Sequence, residues 1–202
     1  GLEQIVDSDR YNAQLTQNFL KLLRVQMTQE DDATMMDSGG TIRTITPNSI
    51  NLDISASAND DTLGIIVGTS DNAQSIESTA MGAQIAHGTG SGQMSHGAMI
   101  TFTATWVSGS DFAYISASRI FTNNSGAAIT VKEIGLLATG YDGASTQDFL
   151  IARMTIPPVT VADGGTITVT QFLFTPTNGL LAMVRLLRVQ MQQASLSIAD
   201  VD

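Results

Sequence analysis

The chain contains no cysteine in 202 residues. That absence excludes disulfides, thiolate-ligated zinc and iron–sulfur sites, and thiol catalysis. Charge is also scarce, at 14% Asp, Glu, Lys and Arg, against about a quarter in an average globular domain. A protein with so little charge pairs its polar backbone in sheet ladders or hides apolar surface against partner subunits, so a β-rich, subunit-like protein is expected. Basic residues are scarcer still, nine Lys and Arg against 19 Asp and Glu, for a net charge of -10. Neutralising phosphates takes clustered Lys and Arg, so neither nucleic acid nor an anionic membrane surface is an expected partner. No apolar run approaches the roughly 18 residues that span a bilayer. Aromatics are few, with one Trp, three Tyr and seven Phe, and most fall in strand patterns, which leaves little for an aromatic-lined carbohydrate cleft.

What is present is patterned. Residues 9–29 carry helical periodicity, with Leu15, Phe19, Leu22, Leu23 and Met27 on one face. Ser8 or Asp9 is the expected N-cap, and Glu30, Asp31 and Asp32 disfavour continuation because acids sit badly at a helix C-terminus. Stretches 41–46 and 49–54 read as short strands and 63–68 as a buried one. Residues 69–98 hold five glycines without a period, a long loop with one helical turn expected near 80–86; a loop of that length is functional or ordered by a neighbour. From Met99 onward alternation is plain at 100–107, 113–121, 128–137, 149–156 and 166–174. Asn123–Gly126, Tyr141–Gly143 and Ala162–Gly165 supply the turns. A second helix is expected after Thr177 or Asn178, with Leu180, Val184, Leu187 and Met191 in register. The expected fold is therefore mainly β. It is an antiparallel β-sandwich or jelly-roll-like core (33–176, with loop 69–98) between an N-terminal helical segment (1–32) and a C-terminal helix and tail (177–202).

The two ends share a repeat. Leu22-Leu23-Arg24-Val25-Gln26-Met27 recurs letter for letter as Leu186-Leu187-Arg188-Val189-Gln190-Met191, and 21–29 match 185–193 at seven of nine positions. Helix propensity explains a leucine-rich face but not the same order of Arg, Val, Gln and Met.

No catalytic constellation emerges. His87-Gly88-Thr89-Gly90-Ser91-Gly92 lacks the Gly-Lys-Ser/Thr ending of a phosphate loop, and Gly90-Ser91-Gly92 is too short for a nucleophile elbow. Glycines there serve tight turns. His87 and His96, nine positions apart, match no zinc spacing and read as ordinary loop residues. Asn59-Asp60-Asp61 and Glu30-Asp31-Asp32 lack the alternation of a calcium loop and read as turn and cap acids. Glu133 is the one acid inside an apolar strand run. It faces outward, or it pairs with Arg119 or Arg153 across strands. Neither metal nor cofactor is expected.

Glu133-Ile134-Gly135-Leu136, a turn at Tyr141-Asp142-Gly143, then Leu150-Ile151-Ala152-Arg153 and a last strand after Asp163-Gly164-Gly165 resemble a pattern of tailed-bacteriophage virion proteins. These β-rich proteins include the domains by which tail fibres dock onto a baseplate. The resemblance covers about residues 63–175, and the strand at 64–68 with Ala83-Gln84-Ile85-Ala86-His87-Gly88 is similar to the upstream half of such proteins. There is no collagen-like or heptad shaft, so it points to an adaptor, neck, tail or capsid-decorating subunit rather than a receptor-binding fibre. The resemblance implies a non-enzymatic virion subunit that forms homo-oligomers and touches other virion structural proteins. A secreted or cell-surface filament subunit is the alternative, and a carbohydrate-binding sandwich a more distant one. The expected assembly contacts are Phe19, Leu22, Leu23 and Met27, with Leu180, Val184, Leu187 and Met191 at the other end.

Overall fold

The computed structural model describes residues 3–7, 13–106 and 112–176. The expected C-terminal helix, with Leu180, Val184, Leu187 and Met191, lies outside the described residues, as do the expected caps Ser8 and Asp9.

The described chain is mainly β and its sheets are largely antiparallel. One sheet contains β1 (Glu3–Asp7), β11 (Thr166–Pro176), β8 (Phe112–Thr122) and β6 (Ser95–His96), in that order. β7 (Ile100–Trp106) also pairs with β8, on the side of β6. A second sheet runs β2 (Gln14–Leu15), β10 (Thr146–Val161), β9 (Ile129–Tyr141), β5 (Gly64–Gly68). β3 (Asp32–Met36) and β4 (Ile42–Ile45) form a separate hairpin. Among the described strand pairs only β1–β11 is parallel. The single helix among the described residues is α1 (Gln17–Thr28), and it is too short to cross a membrane.

Four expectations need correction. The N-terminal segment is not a helical unit, because β1 and β2 each join a sheet before the helix begins. α1 starts at Gln17 rather than near residue 9, because Thr16 is held in the second sheet. Its N–H donates to the Ile151 carbonyl at 3.0 Å and its hydroxyl to the Leu150 carbonyl at 2.6 Å. Stretch 49–54 forms turns rather than a strand, and 80–86 holds no helical turn.

α1 ends at Gln29, whose left-handed backbone (φ 59°) lets its N–H donate to the Val25 carbonyl at 3.0 Å.

β10 is longer than its sequence pattern because two irregularities absorb what would break it. One extra residue enters between Leu150 and Ala152, and two more between Thr155 and Val159, where Pro157 and Pro158 leave the ladder.

The second sheet has two differently used faces. One buries Ile134, Met154, Ile65 and Val67 against Phe121, Ile167 and Val169 of the first sheet. Further along the same face, Ala138, Phe149 and Ile151 pack against Leu22, Leu23 and Val25 of α1 and against Met35 and Ile45 of the hairpin. The opposite face carries Ile66, Leu137 and Leu150, covered by Met81 from the long loop. That loop must lie flat on a sheet, and the sheet holds it there with charge.

Candidate functional site

Two buried arginines organise the irregular half of the molecule. Glu133 (β9) lies opposite Thr155, and Arg153 (β10) lies opposite Gly135, so the two side chains meet diagonally on one face. Both are buried, at 0% and 4% exposure. Arg153 Nε donates to Glu133 Oε2 at 2.8 Å, and Nη2 lies 2.8 Å from the same oxygen as an ion pair. The remaining capacity of both groups goes to the loop. Glu133 accepts the N–H groups of Ala83 at 2.7 Å, Gly82 at 3.0 Å and Ser70 at 3.3 Å. Arg153 donates to the carbonyls of Asn72 at 3.1 Å and Ala73 at 3.3 Å. A desolvated pair is tolerable only when its spare donors and acceptors are satisfied, as here by loop backbone. Gly68, opposite Glu133 in β5, belongs to the same arrangement: a Cβ there would collide with Glu133 Oε1 and the Ala83 carbonyl. Of the two partners expected for Glu133, Arg153 is the one it meets.

Arg119 in β8 forms the second lock. It is fully buried and spends all five N–H bonds on backbone carbonyls. Nε donates to Gly97 at 2.7 Å, and Nη1 to Leu63 at 3.0 Å and Ile65 at 2.9 Å. Nη2 donates to Ser57 at 3.1 Å and to Asp60. Burial pulls its pKa below the usual arginine value, opposed by nearby Asp60 and Asp61, and an arginine remains charged regardless. The turns at 57–63 are thereby pinned onto the first sheet. The sequence shows an isolated arginine among Ser, Ile and Phe, and no local signal reveals a carbonyl cage built from distant turns.

The two histidines adjoin this lock. His96, 1% exposed, stacks edge-on against Phe121 at 5.0 Å and His87 at 5.6 Å. Its backbone N–H donates to His87 Nδ1 at 3.1 Å, while its ring Nδ1 lies 3.4 Å from the Asp60 carbonyl. Its Nε2 has no hydrogen-bond partner. Burial, then the Arg119 charge, lowers its pKa from 6.5 to about 4, so the ring is neutral at pH 7. Among the described residues no group of three His, Cys, Asp or Glu side chains could hold a metal. The acids do turn work: Asp61 accepts the His87 N–H at 2.8 Å, and Asp60 accepts the Thr62 N–H and hydroxyl, both at 2.8 Å. The glycine run after His87 forms the tight turn between His87 and Met94, with Gln93 Oε1 accepting the Gly90 N–H at 2.9 Å.

α1 divides the expected assembly residues. Leu22 and Leu23 are buried in the chain's own core and Phe19 packs partly against it, so these are not free contacts. The hairpin and the Phe149–Ile151 segment already cover them. Met27, by contrast, is 55% exposed, and Leu20, which the helix-face reading passed over, is 54% exposed. Leu15 and Ile76 are also exposed near the helix start, where the Gln17 N–H donates to the Ile76 carbonyl at 2.7 Å. The 3,4 spacing of Leu20, Leu23 and Met27 is the sequence signal that marks such a ridge. Arg24 borders it, bonded to Asp32 at 3.2 Å and near Glu30 at 3.7 Å.

Neither family models, curated proteins nor solved structures give a match to this chain.

Proposed function

We propose that the protein is a non-enzymatic structural subunit of a tailed-phage virion, acting as a homo-oligomer in contact with other virion proteins. Its two sheets, which share one apolar cluster, are read as a β-sandwich that carries the assembly surface. The observation that carries the reading is the exposure of Leu20 and Met27 on α1, with Leu15 and Ile76 also exposed, on a chain with only 14% charged residues. Exposed apolar surface of this kind marks contact with another macromolecule.

The resemblance supplies the virion context, and the fold gives its letters a physical sense. Glu133 and Arg153 are the latch, and Gly135 leaves room for Met81. Such a latch orders a long loop without metal or disulfide, which suits a part that must keep its shape in an array. Immunogold labelling of purified particles from the native source, with antibody against this protein, is expected to decorate one region of the particle in regular copy number. Label confined to cells or secreted filaments would contradict the virion assignment.

A further inference from the structure

The exposed ridge of α1 has a counterpart in the same chain. Aligning 17–29 with 181–193 places Leu20 on Val184, Leu23 on Leu187 and Met27 on Met191, so the ridge and its 3,4 spacing are reproduced. Leu180 extends the second set by one step, at 180, 184, 187 and 191. A 3,4 apolar seam is what one helix offers another, each side chain seating between those of its partner. On α1 the seam is half used: Leu23 is buried below, while Leu20 and Met27 stand out at 54% and 55% exposure.

The only charges in 177–193 are Arg185 and Arg188, on a chain whose net charge is -10. The α1 ridge ends beside exposed Asp31, while Arg24 on its border already meets Glu30 at 3.7 Å and Asp32 at 3.2 Å. Fifteen residues from 177 to 191 follow the last strand, enough for three helical turns after a short lead.

We infer that the occupant of the α1 ridge is segment 180–191 of a second copy of this chain, packed as a helix along exposed Leu20 and Met27 above buried Leu23. This rests on the structural-subunit reading and names its contact. Each subunit then has one ridge and one segment to give, so contacts pass head to tail from copy to copy and close into a ring where the rotation allows.

Because the chain has no cysteine, introduced thiols report without background. The test mixes Leu20→Cys subunits with differently tagged Val184→Cys or Met191→Cys subunits under mild oxidation, beside a Leu20→Asp/Met27→Asp variant followed by sedimentation. The expected result is a covalent species containing both tags from at least one mixture. The aspartate variant is expected to keep its fold by circular dichroism and to self-associate at least about tenfold more weakly. Assembly unchanged by the aspartates, without mixed disulfide, overturns the inference and leaves the structural-subunit reading standing. Thiols that close only within one chain, in a double Leu20→Cys/Val184→Cys or Leu20→Cys/Met191→Cys protein, overturn it too. Wild-type protein that stays monomeric at every concentration removes the reading and the inference together.

Discussion

Glu133 is the residue on which the long loop depends. Its carboxylate joins β9, β10 and three loop N–H groups at one buried point, so neutralising it affects all of them. Glu133→Gln leaves the Arg153 guanidinium buried without its counter-charge, which is expected to cost roughly 3 kcal/mol. In a domain of this size that lowers Tm by about 6–12 °C. Limited proteolysis should then cut within 69–83 before the rest of the chain, and unchanged melting and cleavage would refute the latch. The second residue-scale prediction is a pH dependence from His96. Its pKa falls from 6.5 to about 4 on folding, so folding favours the neutral ring. The stability this provides is intact above pH 6.5 and drains away as pH falls towards 4. Asp148, raised by burial, works the other way at the acidic end of that range. Comparison with His96→Gln in urea melts isolates the histidine, whose removal should flatten the loss between pH 6.5 and 4. The sequence made Glu133 conspicuous as an acid in an apolar run, but choosing between Arg119 and Arg153 required the register. Arg119 was illegible because its five acceptors are carbonyls, which no side-chain letter encodes.

At the scale of elements, α1 has one face in the core and another that is exposed. Leu22 is 0% exposed among Met35, Ile45 and Phe149, and Leu22→Ala should cost about 2–5 kcal/mol as transfer and cavity terms add. Denaturant unfolding checks it, and a change under about 1 kcal/mol would mean the helix is only loosely seated. Leu23→Asp would likewise unfold the subunit, so the ridge residues Leu20 and Met27 are the ones to alter when assembly is the question. Periodicity found the helix but not its start, since the hold on Thr16 comes from β10, over 130 positions away. It found the strands from Met99 onward, where alternation is strong. It missed β3, whose Asp-Ala-Thr-Met-Met carries no such alternation and is held by its pairing with β4. It cut β10 short at Pro157, because a bulge that ejects two prolines cannot be read from letters that ordinarily end strands.

For the molecule as a whole, irregular chain is fastened to two regular sheets by buried arginines, and apolar surface is left out on one helix. The first property fastens the loops to the sheets without a disulfide. The second is the surface through which, in the proposed reading, the molecule binds. The central claim is that binding means self-association, and sedimentation velocity across micromolar to hundred-micromolar protein tests it most directly. The account predicts species larger than a monomer that grow with concentration and fall back when Leu20 and Met27 are replaced by aspartate; a single monomeric boundary at every concentration would contradict it.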